Sequence, residues 1–214
     1  MDFQALAQEC APWVAPQTMT AIVKTESGFR PYAINVNGRA QLERQPATKS
    51  EATITAKWLI ANGYNIDLGL GQVNSANLSK TGLSVEDAFD PCKNLAAAAT
   101  ILHWNYQAAS RKVQGEQAAL HAAISAYNTG SFTRGFSNGY VQKVVMNAAN
   151  SKGTVAAPPK PSDKPIPLRK AKPPKEDKQA EKSVMVATQK ENTPELMSKG
   201  PNVYNRNASG VMVY

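Results

Sequence analysis

The chain has 214 residues and a formal net charge of +8, which allows one domain of ordinary size plus an appendage. Nine of its 14 prolines, 12 of its 24 Lys/Arg and only 6 of its 16 Asp/Glu fall in residues 150–214. This composition excludes a packed core from the second part, so we expect a domain over 1–150 and a disordered, proline-rich basic tail over 151–214.

The spacing of apolar residues in the first part predicts six helices. They are expected over residues 3–11, 16–28, 50–62, 91–112, 117–127 and 140–149, with Asp2, Ser50 and Asp90 as N-caps and Gly28 and Gly63 as C-terminal stops. Asn37-Gly38 predicts a turn and residues 39–49 a polar loop. Since no convincing alternating strand is visible, we predict a mainly α fold.

Charge, termini and cysteines leave the class of protein open. A basic balance suits nucleic acid, an anionic cell-wall polymer or a membrane surface alike. No secretory signal and no membrane span are visible in the sequence. Two cysteines, Cys10 and Cys92, allow one disulfide in an oxidising compartment or two buried thiols.

One glutamate stands on an apolar helical stripe. Met19, Ile22, Val23 and Glu26 follow one another at positions i, i+3, i+4 and i+7. Partial burial raises the pKa of a carboxyl group, as a general acid working near neutral pH requires. Glu26 is therefore the first candidate catalytic residue.

Two further blocks are weak signals when taken singly. Residues 69–74, Gly-Leu-Gly-Gln-Val-Asn, lack the Gly-Lys-Ser/Thr ending of a phosphate-binding loop and the strand that precedes a dinucleotide site. Residues 126–130, Ala-Tyr-Asn-Thr-Gly, read equally well as the end of a core helix. The two blocks become informative because they follow Glu26 in this order along the chain.

Together with Glu-Ser-Gly-Phe-Arg-Pro at 26–31, these blocks resemble the three signatures of lytic transglycosylases with a goose-lysozyme-like fold. The resemblance implies a lysozyme-like domain over residues 1–149 that cuts peptidoglycan glycan strands without a cofactor or metal. It makes Glu26 the acid and base. It also implies that Ser27 and Gln72 hold the substrate's acetamido sugar, that Tyr127 orients Glu26, and that Asn128 lines the cleft.

A predicted helix over residues 50–62 separates Glu26 from residues 69–74, here called the glycine-glutamine block. With this insertion the chain resembles the transglycosylases of VirB-type type IV secretion and conjugation systems. The resemblance implies a periplasmic location and contact between the C-terminal tail and the secretion apparatus. Because the substrate would then lie outside the cytoplasm, we expect Cys10 and Cys92 to form a disulfide.

The reaction depends on how many carboxylates take part. Ordinary glycosidases use a pair, and goose-type lysozymes place one where this chain has Asn74. A single Glu26 suffices if the muramoyl 6-hydroxyl attacks and closes a 1,6-anhydro ring. Asp67 is the residue that could make the protein a two-carboxylate muramidase, although a cap or turn role ahead of the glycines is the expected one.

Two other classes of protein remain as alternatives. A non-catalytic cell-wall-binding scaffold would not need Glu26 together with Tyr127. Nucleic-acid binding is not expected, because the basic residues of the tail lack aromatic interleaving or a recognised motif. His103 and His121 lie in predicted helices without a metal-binding motif, so we expect no metal.

Overall fold

A computed structural model describes residues 3–149 and 163–170. Helices form most of residues 3–149, which confirms the mainly α fold. Their bounds are α1 Phe3–Cys10, α2 Pro16–Glu26, α3 Lys49–Ala61, α4 Leu78–Thr81, α5 Pro91–Ser110, α6 Glu116–Thr129, α7 Arg134–Ser137 and α8 Tyr140–Ala149. Helix α5 packs against α6 and α2 against α8, around one apolar core.

The start of α5 follows the predicted cap chemistry. The Asp90 side chain accepts a hydrogen bond of 3.0 Å from the Lys93 amide, and Pro91 takes the first helical position, where no amide donor is needed. The cap predicted at Ser50 is wrong, because Thr48 accepts the amide of Glu51 instead. The cap predicted at Asp2 lies outside the described residues.

Short strands are present where none was predicted. Strands β1 Ile34–Val36, β3 Ile66–Leu68 and β4 Val73–Asn74 form an antiparallel sheet in the order β1-β3-β4. Strand β2, Ala40–Leu42, lies inside the segment predicted as a polar loop. Two or three residues per strand are too few for an alternating pattern to show in the sequence.

A segment assigned to the tail packs on the domain. Strand β5, Leu168–Lys170, pairs with β2 in antiparallel register, and Ile166 is 2% exposed. The prediction of a disordered tail starting at 151 therefore does not hold for residues 163–170, because β2 offers them an edge and the core a place for Ile166. The remainder of the predicted tail, 151–162 and 171–214, lies outside the described residues.

A disulfide joins the first and fifth helices. The sulfur atoms of Cys10, the last residue of α1, and Cys92, in the first turn of α5, are bonded at 2.05 Å. The two helices are thereby tied across 82 positions of sequence. Within residues 3–149 and 163–170, no helix has both the length and the apolar character required to cross a membrane.

Candidate active site

Glu26 ends α2 at the edge of the apolar core. Met19, Ile22 and Val23 of the same helix are buried, so the stripe they form carries the next side chain along it, Glu26, against the core. The helix stops there because the chain turns at Gly28, which has a φ of +60°. The carboxyl group thus opens onto a groove while its surroundings are partly apolar.

Burial controls the protonation of this carboxyl group. Desolvation raises the pKa of Glu26 from 4.5 to about 7, and the negative charge of Asp67 adds to the rise. A hydrogen bond from Tyr140 and the positive charge of Lys143 act in the opposite direction. Glu26 is therefore poised to hold a proton and to release it near neutral pH.

Tyr140 is the group that orients Glu26. Its hydroxyl donates a hydrogen bond to Oε1 of Glu26, and its side chain lies in the core at the start of α8. Burial and the nearby carboxylate both raise the pKa of Tyr140, so the phenol keeps its proton and remains a donor. The family resemblance implied this role for Tyr127.

The hydroxyl of Tyr127 has a different partner. It donates to the carbonyl of Gly71 at 2.5 Å, which ties α6 to the glycine-glutamine block. Tyr127 still lines the groove beside Glu26, whose charge contributes to the raised pKa of the phenol. The structure thus brings Tyr127 to the site but places it against the backbone of that block.

A row of amide side chains holds Asp67 opposite Glu26 in the groove. Oδ1 of Asp67 accepts from Asn74 at 2.7 Å, while Oδ2 accepts from Asn35 at 3.2 Å and from Asn37 at 3.0 Å. Asn35, Asp67 and Asn74 are directly paired across β1, β3 and β4, so their side chains share one face of the sheet. Asn65 extends the row by bonding to Asn37 and Asn74.

The expected role of Asp67 as a cap or turn residue is therefore wrong. Asp67 is the central residue of β3 and lines the same hollow as Glu26. Three amide donors form hydrogen bonds to its two oxygens. The site contains two carboxyl groups, Glu26 with a pKa raised by burial and Asp67 surrounded by amide donors.

The glycine-glutamine block is pressed against the start of α5. A Cβ atom at Gly69 would lie 2.3 Å from the carbonyl oxygen of Ala88, and one at Gly71 would lie 2.5 Å from the Cβ of Ala98. The buried side chain of Asn94 donates to the Leu68 and Ala88 carbonyls and accepts from the Gly71 amide at 2.7 Å. Glycine is required at both positions by this close approach.

Gln72 projects from the tight turn that these glycines allow. Its φ is +51°, an uncommon conformation for a residue other than glycine and one that is often found at functional sites. Its side-chain Nε2 donates to the carbonyls of Gly69 at 2.8 Å and Ala33 at 3.2 Å. The amide group is therefore fixed in place on the groove wall.

Asn128 and Ser27 have contrasting positions. Asn128 lines the groove and accepts a hydrogen bond from Asn138 at 3.2 Å. Ser27 is 1% exposed, and its hydroxyl turns back along α2 to the carbonyl of Val23 at 3.2 Å. Of the predicted site residues, Ser27 is the one that the structure does not bring into the groove.

Several groove residues escaped the sequence analysis. The asparagines alternate with other residues, as Asn35-x-Asn37 and Asn65-x-Asp67, a period-two signal that could have indicated one face of a strand pair. Tyr140 lies one turn before Val144 on the buried face of α8, but nothing in the sequence links it to Glu26. Arg30 and Gln45 also line the groove.

Metal ligands are not gathered in the described part of the chain. Residues 3–149 and 163–170 contain no group of three or more His, Cys, Asp or Glu side chains that could share an ion. His121 is paired with Gln117 at 2.8 Å within α6.

A buried carboxylic acid with a raised pKa, beside an amide-lined groove in a helical domain, is typical of lysozyme-like proteins that act on glycosidic bonds. A family model described as the transglycosylase SLT domain matches residues 4–149. The chain belongs to this family, in the branch that contains the VirB1 proteins.

Three relatives illustrate the similarity. The type IV secretion system protein virB1 of Brucella suis is 51% identical over 165 residues, covering 74% of this chain and 69% of the relative. Its counterpart in Brucella abortus is 53% identical over 154 residues, covering 69% and 64%. Protein virB1 of Agrobacterium fabrum is 40% identical over 159 residues, covering 74% and 64%. The chain thus spans about two thirds of the length of these relatives. No solved structure matches the chain.

Proposed function

We propose that this protein is a peptidoglycan lytic transglycosylase that cleaves the β-1,4 bond between N-acetylmuramic acid and N-acetylglucosamine and leaves a 1,6-anhydromuramoyl end. The observation that carries the proposal is the environment of Glu26. Burial raises its pKa to about 7, and Tyr140 fixes its direction at the groove. Membership of the transglycosylase SLT family supports the substrate class.

The reaction uses Glu26 twice. In the first step Glu26 gives its proton to the glycosidic oxygen, and the bond from that oxygen to the muramoyl anomeric carbon breaks. In the second step the Glu26 carboxylate takes the proton of the muramoyl 6-hydroxyl, whose oxygen bonds to the anomeric carbon. Glu26 ends protonated as it began, and no water is consumed.

Asp67 supplies charge to this mechanism. Held by three amides, Asp67 lines the same groove as Glu26 and raises the pKa of Glu26. A carboxylate there can stabilise the positive charge that develops at the anomeric carbon. The same carboxylate is the specific observation that favours a second candidate, a two-carboxylate muramidase in which Asp67 acts as the nucleophile or base. The two candidates differ in their products.

The amides on the groove walls are suited to N-acetylated sugars. Gln72 and Asn128 present amide groups next to Glu26, and an acetamido group can both donate to and accept from an amide. Tyr127 adds an aromatic wall to the same hollow. The Ser27 hydroxyl donates to the Val23 carbonyl and so stabilises the turn that follows Glu26.

The setting of the activity follows from the relatives. The two Brucella relatives are named type IV secretion system proteins. We therefore propose that this enzyme opens the wall locally in the periplasm for such an apparatus, with the C-terminal tail as the part that contacts it. A disulfide in the domain is consistent with an oxidising compartment.

Mass spectrometry of the products tests the reaction. Purified protein should release muropeptides with 1,6-anhydromuramoyl ends from isolated peptidoglycan, lighter by one water than hydrolysis products. Glu26→Gln keeps the shape of the side chain but cannot give a proton, and it should lower activity by about ten-thousandfold or more, since one group serves both steps. Glu9→Gln, an exposed position on α1, is the matched control and should retain activity.

The muramidase alternative predicts the opposite outcome. Reducing ends that carry the full water, and that disappear in Asp67→Asn, would replace the transglycosylase mechanism with two-carboxylate hydrolysis. Under the transglycosylase mechanism Asp67→Asn is far milder than Glu26→Gln and leaves the product unchanged.

A further inference from the structure

Residues 163–170, here called the return segment, lie against the same part of the domain as the groove. Helix α8 ends at Ala149, and the chain comes back 14 residues later to pair β5 with β2. The pairing sets Ala40 opposite Lys170, Gln41 opposite Arg169 and Leu42 opposite Leu168. In the described sheets, β5 is the partner of β2.

The return segment is anchored by burial as well as by strand pairing. Ile166 is 2% exposed within the core, and its amide donates to Oγ1 of the fully buried Thr55 at 3.2 Å. The Glu43 amide donates to the carbonyl of Pro167 at 2.9 Å. The burial of Ile166 and these two hydrogen bonds therefore hold in place a segment in which four of the eight residues are charged.

The segment that β5 contacts forms one wall of the groove. Gln45, three residues after β2, exchanges two hydrogen bonds with the backbone of Ile34, accepting at 2.8 Å and donating at 2.9 Å. Ile34 begins β1, the strand that carries Asn35 to Asp67. Gln45 and Ile34 both line the groove beside Glu26. The path from Ile166 to the groove thus passes through β2, Gln45 and β1.

We propose that the return segment is a positioning element of the active site, which keeps β2 and Gln45 in place so that the glycan strand finds a formed groove wall. This inference rests on the proposed function only for its substrate. Glu26 and Tyr140 belong to α2 and α8, which the return segment does not pair with, so its loss should weaken substrate binding more than the chemical step.

Two variants of the full chain test this. Ile166→Asp buries a charge in the core and should undock the return segment. Arg169→Asp, three residues along, changes an exposed side chain of the same segment and is the matched control. Hydrogen exchange should become faster at residues 40–45 in Ile166→Asp alone. On isolated peptidoglycan its KM should rise several-fold with kcat nearly unchanged.

Each outcome is decisive. Unchanged exchange at 40–45 in Ile166→Asp would overturn the proposal, and so would faster exchange with an unaltered KM. Ile166→Ala provides the same comparison if the aspartate variant does not fold. Hydrogen exchange does not depend on catalysis, so a wild-type protein that fails to cut peptidoglycan would refute the proposed function while the exchange result still reports on the return segment.

Discussion

Glu26 is subject to two charges of opposite sign. Asp67 raises the pKa of its carboxyl group and Lys143 lowers it, while burial makes the largest contribution. A general acid must start protonated, so kcat/KM should fall as the pH rises through the pKa of about 7. The position of this alkaline limb therefore reports the local charge.

Replacing Asp67 or Lys143 should shift the alkaline limb of the pH profile of kcat/KM in a predictable direction. Asp67→Asn removes a negative charge, lowers the pKa of Glu26 and should shift the limb to lower pH. Lys143→Met removes a positive charge, raises that pKa and should shift the limb to higher pH. The pH dependence of kcat/KM on isolated peptidoglycan measures both. Shifts in the same direction, or none, would show that Glu26 is not the titrating acid.

At the scale of elements, three residues within positions 90–94, at the start of α5, each fix the helix to another part of the structure or cap it. Asp90 caps the helix, Cys92 binds α1 through the disulfide, and Asn94 holds the backbone of the glycine-glutamine block. Gln72 lies in that block, so the orientation of α5 is transmitted to the groove. Helix α5 is thus a support for catalysis as well as a core helix.

The disulfide should contribute strongly to stability. Cross-linking over 82 positions is worth about 4.5 kcal/mol in the chain-entropy model, before native-state effects are subtracted. A Cys10→Ala/Cys92→Ala double variant should therefore unfold at clearly lower denaturant concentration than the oxidised protein. Thiol labelling of denatured, unreduced protein should find no free cysteine. Full labelling together with an unchanged midpoint would mean that the bridge does not form.

At the scale of the molecule, the return segment adds residues 163–170 to the part of the chain that packs around the core. The chain leaves β5 at Lys170, opposite Ala40 of β2, and residues 171–214 continue from there.

Removing residues 171–214 should separate cutting from assembly. We expect the shortened protein to cut isolated peptidoglycan almost as well as the full chain, because Glu26, Asp67, Gln72 and Tyr140 all precede residue 150 and the return segment is kept. Secretion or transfer in cells should fall if those residues contact the apparatus. Loss of cutting on isolated peptidoglycan would place part of 171–214 in the active unit.

Sequence reasoning succeeded where local chemistry decides the structure. Helix α5 was predicted from a proline and its cap, and the position of Glu26 on the buried face of α2 from the spacing of an apolar stripe. It failed where distant parts of the chain meet. Tyr140 is 114 positions from Glu26, and only the packing of α8 on α2 brings them together. Proline and charge in the return segment concealed the single buried Ile166.

The amide row has a consequence for the lifetime of the enzyme. Asn37 precedes Gly38, and asparagine before glycine is prone to deamidation, because a glycine amide nitrogen readily reaches the side-chain carbonyl carbon and expels ammonia. Water then opens the ring to a carboxylate. At Asn37 this would replace the donor that lies 3.0 Å from Oδ2 of Asp67 with a second negative charge. Like charges at that distance repel, so the groove of an ageing molecule would lose its arrangement of donors without any break in the chain.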